Sequence, residues 1–180
     1  MIPHRYDAVV RLLDGRQPAC GTTTVVAVDG PSGSGKSTFA DGLAAATGAR
    51  VLRLDDIYPG WHGLAAAPPM VARALEDVAV GEIGSVDRWS WVHDRPAAPL
   101  RVVPGGLLLL DGVGSGAAVI RPFLSALLWV EAPTAARKER ALSRDGETYA
   151  PYWDVWAGQE RRHFRSDGTR HHADLVITTG

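Results

Sequence analysis

The sequence contains no asparagine and only two lysines, Lys36 and Lys138, among its 19 basic residues. A guanine-specific Asn-Lys-x-Asp motif is therefore impossible, which argues against a GTPase switch. Because arginine is the default cation here, a lysine at a motif position is informative: its compact ammonium group differs from the planar guanidinium of arginine.

Cysteine is nearly absent as well, since Cys20 is the single example. One cysteine excludes a disulfide framework and a cysteine-based metal cluster, and it fits a reducing cytosol. The sequence has neither a signal-peptide core nor an apolar run of membrane-spanning length. A net charge of −1 and a pI near 6.6 give no general basic surface for nucleic acid. We therefore expect a cytoplasmic protein with neither a membrane nor a nucleic-acid partner.

A chain of 180 residues with 46% hydrophobic content suits a single domain, residues 1–180. Short apolar runs alternate with helical segments, which predicts an α/β three-layer fold around a five-stranded parallel sheet. The predicted strands are 23–28, 50–54, 106–110, 126–130 and 174–178. The predicted helices are 7–13, 36–46, 71–80 and 134–143. Residues 86–103 interrupt the alternation and predict a small hairpin.

The stretch GPSGSGKS, residues 30–37, lies between a predicted strand and a predicted helix. It matches the phosphate-binding loop, or P-loop, in which glycines let backbone N–H groups converge on phosphate oxygens. We expect Lys36 to reach the β- and γ-phosphates of ATP and Ser37 to ligate Mg²⁺. The predicted nucleotide contacts are Gly30, Pro31, Ser32, Gly33, Ser34, Gly35, Lys36, Ser37 and Thr38. The alternative is an ordinary Gly/Ser-rich turn before a helix.

Two further segments place carboxylates after predicted strands. LLLLDGVGSG delivers Asp111, a second expected magnesium ligand, and the following Gly112 stands where motor-type ATPases carry a water-activating carboxylate. That difference favours a phosphotransferase, whose nucleophile is a substrate hydroxyl. LRLDDIYPGW offers Asp55 and Asp56 as candidate bases at the end of a strand, where open α/β sheets bind ligands. For each aspartate, the alternative is a turn residue.

Arg137, Arg140 and Arg144 follow one another at helical spacing and predict a face that clamps the triphosphate, with Arg140 on the nucleotide and Arg144 on the transferring group. The alternative is a solvated helix surface. Residues 144–165, rich in glycine and aromatic residues, suit a lid that closes over nucleotide. An irregular loop pinned to the core by those aromatic residues fits equally well.

The ordered set of motifs resembles the uridine kinase family of P-loop nucleoside kinases. The matching features are Asp55, Ile57 and Tyr58 after the second strand, WSWVHDRP with His93 and Arg95, Leu110-Asp111-Gly112, Arg144-Asp145, and ADLVI near the C-terminus. The resemblance implies Asp55 as catalytic base and magnesium ligand, with Asp56 as the fallback. The opening VAVDGPSGSGKST is also similar to cytidylate kinases, but their Asp-Thr-Gly-Ala-Met-Tyr-Arg element is absent.

These features predict transfer of the γ-phosphoryl group of Mg-ATP to a hydroxyl of a small molecule. A nucleoside is the expected acceptor, because aromatic faces suit a planar base. The predicted acceptor residues are Tyr58, Trp61, Trp91, His93 and Arg95. The alternatives are a nucleoside monophosphate, sugar or antibiotic kinase, or a P-loop protein that binds nucleotide without transfer. No sequence pattern defines the oligomeric state.

Overall fold

The computed structural model describes residues 6–179, except for the side chains of residues 142 and 144–149. The strands are β1 (Thr23–Asp29), β2 (Arg50–Arg53), β3 (Gly84–Ser90), β4 (Arg95–Val102), β5 (Gly106–Asp111), β6 (Ala126–Glu131) and β7 (Leu175–Thr178). The helices are α1 (Asp7–Leu13), α2 (Lys36–Thr47), α3 (Ala67–Ala79), α4 (Thr134–Tyr149) and α5 (Trp153–Asp167).

The main sheet is five-stranded and parallel, in the order β2-β5-β1-β6-β7. β1 lies at its centre because it pairs with β5 on one side and β6 on the other. This confirms the predicted fold class. The parallel arrangement brings the carboxyl ends of β1, β2 and β5 to one edge, where the candidate site lies.

Each face of the sheet is covered by its own hydrophobic cluster. Val25, Leu108 and Leu110 pack into the cluster that contains the buried face of α3. Val26 and Leu109, the alternating residues, pack on the opposite face against α1 and α2. Successive side chains of a strand point to opposite faces of the sheet. Because both faces are covered, the strands are apolar throughout.

The predicted hairpin is the antiparallel pair β3 and β4. Its base is anchored by Val86 and Val102, which are buried against the α3 cluster. Gly84 is required there, since a Cβ atom at this position would lie 2.2 Å from the carbonyl oxygen of Ala74. The tip projects from the sheet, toward the edge that carries the candidate site.

The main difference from the expected elements lies after residue 143. α4 continues to Tyr149, a 3₁₀ turn covers Ala150–Tyr152, and α5 is a continuous helix rather than an irregular loop. Trp153 and Trp156 are buried. Their burial stabilises a helix that its composition alone does not favour, because tertiary packing outweighs local propensity. Whether this segment acts as a lid stays a prediction.

None of the helices that the structure describes combines the length and the apolar character needed to cross a lipid bilayer.

Candidate functional site

The GPSGSGKS segment forms a turn between the end of β1 and the start of α2. Its glycines have left-handed backbone angles: φ is 143° at Gly30, 75° at Gly33 and 86° at Gly35. Gly33 is also required by space, because a Cβ atom there would lie 2.1 Å from the carbonyl oxygen of Arg137. Lys36 is the first residue of α2 and is buried. This loop conformation at a helix N-terminus is suited to an anion.

The outer side of the loop is tied to α4 and to the end of the chain. The Ser34 carbonyl accepts a hydrogen bond of 2.7 Å from the Thr179 hydroxyl, which accepts one of 3.0 Å from Arg140. Arg137 donates to the Ser32 carbonyl at 3.0 Å. Arg137 therefore contacts the P-loop directly, and Arg140 contacts Thr179, which in turn contacts the loop. Arg144 lies outside the described side chains, so its assignment stays a prediction.

Asp111 ends β5 beside the loop, with only 2% of its surface exposed. Its Oδ2 pairs with Arg53 at 2.9 Å, whereas its Oδ1 is buried without a hydrogen-bond partner among the described residues. Burial raises the pKa of this carboxyl, against the lowering effects of Lys36, Ser37 and Arg53. A buried, unpaired carboxylate oxygen beside the Ser37 hydroxyl is a donor set that fits Mg²⁺.

The two candidate bases differ in their surroundings. Asp56 pairs with Arg88 of the hairpin at 3.6 Å. Asp55 is exposed, and its negative charge helps to raise the pKa of both Asp111 and Tyr58. It therefore lies on the Asp111 side of the edge. Asp56 instead faces Arg88 of the hairpin, and the assignment of the base to Asp55 stays a prediction.

Asp29 is a site residue that the sequence reasoning missed. It ends β1, is fully buried, and accepts hydrogen bonds from the backbone N–H groups of Gly30 (2.7 Å), Gly114 (3.0 Å) and Gly116 (2.8 Å). It thereby joins the P-loop to the loop after Asp111. Burial raises its pKa to about 6, although the three N–H donors and the charge of Lys36 oppose that shift. The available signal was an acidic residue at the end of a buried strand, directly before the motif.

Three aromatic rings meet beside Asp55. Trp61 stacks on Tyr152 with ring centroids 4.6 Å apart and lies 4.8 Å from Trp91 at a tilt of 54°. The indole N–H of Trp91 donates to the Asp55 carbonyl at 2.7 Å. Trp91 and Tyr152 are each 38% exposed, so the group presents ring surface to solvent. Tyr152 was absent from the predicted acceptor residues because it comes from the segment between α4 and α5.

The other three predicted acceptor residues lie elsewhere. Tyr58 is 1% exposed, and its hydroxyl donates to the Val113 carbonyl at 2.8 Å, so it lies beneath the site rather than lining it. Burial raises its pKa, helped by four surrounding carboxylates. His93 and Arg95 are exposed at the hairpin tip and form no side-chain hydrogen bond within the described part of the chain. Their contact with an acceptor stays a prediction.

α5 contacts the P-loop through hydrogen bonds that the sequence reasoning also missed. Glu160 accepts a hydrogen bond of 2.8 Å from the Ser32 N–H. The Trp156 indole N–H lies 3.0 Å from both the Ser32 hydroxyl and Glu160, and its ring packs edge-on against Tyr58. Gln159 donates to the Trp61 carbonyl at 2.7 Å. α5 thus links the P-loop to the segment that carries the aromatic group.

No protein-family model matches the chain, and no curated protein matches it either. Among solved structures, it is similar to a possible uridine kinase from Bacillus stearothermophilus, with 17% identity and a TM-score of 0.64; the match covers 96% of this chain and 97% of that one. It is also similar to a putative fructose transport system kinase from Silicibacter sp. TM1040, with 19% identity, a TM-score of 0.62 and 98% coverage of both chains. These similarities, together with the five-stranded parallel sheet, establish the P-loop kinase fold.

Proposed function

We propose that this protein is a kinase that transfers the γ-phosphoryl group of Mg-ATP to a hydroxyl of a small molecule, with a nucleoside as the acceptor. The observation that carries the proposal is the arrangement of Lys36, the unpaired Oδ1 of Asp111 and Asp55 along one edge of the sheet. Phosphoryl transfer requires a cation at the phosphates, a divalent-metal ligand and a base, and these residues supply all three.

In this mechanism the N–H groups of residues 32–37 and the Lys36 ammonium group hold the β- and γ-phosphates. Ser37 and Asp111 would hold Mg²⁺, with Asp55 as a further predicted ligand, and the bound ion would supply positive charge beside the transferring group. Asp55 accepts the proton of the acceptor hydroxyl. The acceptor oxygen forms a bond to the γ-phosphorus as the bond to the bridging oxygen of ADP breaks. Arg140 and Arg144 are proposed to stabilise the triphosphate and the transferring group.

Trp61, Trp91 and Tyr152 support a nucleoside acceptor because they present aromatic surface next to Asp55. The similar structure described as a fructose transport system kinase makes a sugar the second candidate. Since ATP is a cytosolic metabolite and the one cysteine fits a reducing compartment, we place the reaction in the cytoplasm.

The test is a transfer assay with γ-labelled ATP, Mg²⁺ and a panel of nucleosides, nucleoside monophosphates and sugars, including uridine and fructose. We expect label on a nucleoside hydroxyl and loss of transfer in Lys36→Met. Lys138→Met is the matched control, because Lys138 is the other lysine and is exposed on α4. Binding of ATP without transfer to any acceptor would instead indicate a nucleotide-binding protein, and equal effects of the two substitutions would contradict the P-loop assignment.

A further inference from the structure

Glu160 is a buried carboxylate that the proposed mechanism does not use. Its side chain is on α5 and only 4% of the residue is exposed. Its Oε1 accepts hydrogen bonds from the Ser32 backbone N–H at 2.8 Å and from the Trp156 indole N–H at 3.0 Å. No lysine or arginine within the described part of the chain forms an ion pair with it. Both hydrogen-bond donors are therefore neutral, and one belongs to the P-loop.

A backbone N–H of a phosphate-binding loop is a donor suited to anions. The carboxylate of Glu160 is thus an anion that the chain itself supplies to the loop. The Trp156 ring, whose indole N–H donates to Glu160, packs edge-on against Tyr58 at a centroid distance of 4.8 Å, and the Tyr58 hydroxyl donates to the Val113 carbonyl in the loop after Asp111. Glu160 therefore lies on the side of the P-loop that faces the segments carrying Asp55 and Asp111, where the proposed function places the γ-phosphoryl group.

We infer that Glu160 is an internal ligand of the P-loop, which the γ-phosphoryl group of a nucleoside triphosphate displaces on binding. This inference rests on the proposed function. A carboxylate and a γ-phosphate repel each other strongly in a buried site, so both cannot occupy this side of the loop at no cost. A diphosphate lacks the γ-group and leaves the Glu160 contact intact. Displacement also releases Trp156 from Ser32, so triphosphate binding loosens α5 from the loop.

The test compares the affinities of a non-hydrolysable ATP analogue with an imido β–γ bridge and of ADP, each with Mg²⁺, by isothermal titration calorimetry. Glu160→Gln removes the charge but keeps a carbonyl oxygen that accepts from Ser32 and Trp156. We expect this variant to bind the ATP analogue about tenfold more tightly than the unsubstituted protein, with the ADP affinity changed less than about twofold. An unchanged ratio of the two affinities would overturn the inference.

Asp154→Asn is the matched control, because Asp154 is an exposed acidic residue of the same helix. This variant loses the same charge and should leave both affinities unchanged. Glu160→Ala separates displacement from simple positioning of the loop. If Glu160 competes with the γ-phosphoryl group, the alanine variant also gains affinity for the ATP analogue. If Glu160 instead holds the loop in shape, the alanine variant loses affinity for both nucleotides and the inference is wrong.

Trp156 supplies a second measurement, the difference in tryptophan emission between the unsubstituted protein and Trp156→Phe. We expect the ATP analogue, but not ADP, to change this difference, because only the triphosphate separates the indole from Ser32 and Glu160. An equal response to both nucleotides contradicts displacement. ADP binding by the unsubstituted protein tests the proposed function separately: without any nucleotide binding both proposals fail, whereas ADP binding with an unchanged affinity ratio refutes only the role of Glu160.

Discussion

At the scale of residues, the candidate site surrounds one lysine with several carboxylates. The charges of Asp29 and Asp111 both interact with Lys36. Those two carboxylates also act on the Tyr58 hydroxyl, together with Asp55 and Glu160. An excess of negative charge in a partly buried edge favours binding of a cation. The surroundings of the carboxylates differ: Asp111 has one oxygen without a partner among the described residues, Asp55 is exposed, and Asp29 and Glu160 accept hydrogen bonds from the P-loop backbone.

The distinction between Asp55 and Asp56 leads to a first prediction. Asp55→Asn should lower kcat about a hundredfold or more while ATP affinity is retained, because a positioned base is lost but the P-loop is intact. Asp56→Asn removes only a half-exposed pair with Arg88, so its effect should be small. Steady-state kinetics and ATP titration of both variants check this. A larger kcat loss in Asp56→Asn would assign the base to that residue.

Asp29 gives a pH-dependent prediction for stability. Its pKa is raised by burial from 3.8 to about 6, so the folded state holds the proton more tightly than the unfolded state. Its contribution to stability is therefore complete below about pH 4 and is lost as the pH rises through about 6. The change amounts to about 3 kcal/mol at most. Urea unfolding at pH 4.5 and 7.5 should show the unsubstituted protein losing stability relative to Asp29→Asn across this range. A difference between the two proteins that is independent of pH would contradict the raised pKa.

At the scale of elements, the hairpin and α5 reach the site through a few side chains each. β3 and β4 carry Trp91 to the Asp55 carbonyl. α5 carries Trp156 and Glu160 to Ser32. Both elements lie outside the main sheet. The hairpin and α5 therefore contact the site from beside the carboxyl ends of β1, β2 and β5.

The hairpin contact gives a prediction with an internal control. Trp91→Phe keeps an aromatic ring but loses the hydrogen bond to Asp55, so kcat should fall about fivefold, the scale of one hydrogen bond. Trp89→Phe is the control, because the buried indole N–H of Trp89 has no partner among the described residues. Trp89→Phe should leave kcat unchanged. Kinetics of the two variants decide the matter, and equal losses of activity would show that Asp55 does not depend on the Trp91 hydrogen bond.

The elements also show which features could be predicted from the sequence. The P-loop and Asp111 follow from a fixed order of strand, glycines and charge, which is local along the chain. α3 begins at Ala67 rather than at residue 71 because Pro68 and Pro69 fit the first turn of a helix. Glu160 could not be found in this way, since its partner Ser32 is 128 residues away. Its role depends on packing that no local pattern encodes.

At the scale of the whole molecule, both core clusters meet the site through the strands of one sheet. β1 contributes Val25 to one cluster and Val26 to the other, and ends at Asp29. Ligand binding at this edge is therefore linked to global unfolding, because the central strand cannot unfold without losing the P-loop.

This linkage predicts a thermal shift. Mg-ATP at about 100 times its dissociation constant should add about 2.7 kcal/mol to the free energy of unfolding. For a chain of this size we expect Tm to rise by about 5–10 °C. Adding the true acceptor with a non-hydrolysable ATP analogue should raise Tm further. Differential scanning fluorimetry with Lys36→Met as the control checks this, and an equal shift in that variant would place the nucleotide elsewhere.

The strand order has a consequence for synthesis on the ribosome. β1 is made before both of its neighbours, β5 and β6: Thr23 pairs with Gly106, and Val26 pairs with Ala126. About 80 residues must therefore be translated before the central strand gains its first partner, β5, and about a hundred before it gains the second, β6. During that interval the apolar strand β1 has no strand partner. We expect the nascent chain to be prone to aggregation at this stage and to bind chaperones. The same topology that gathers the site residues at one edge delays assembly of the sheet.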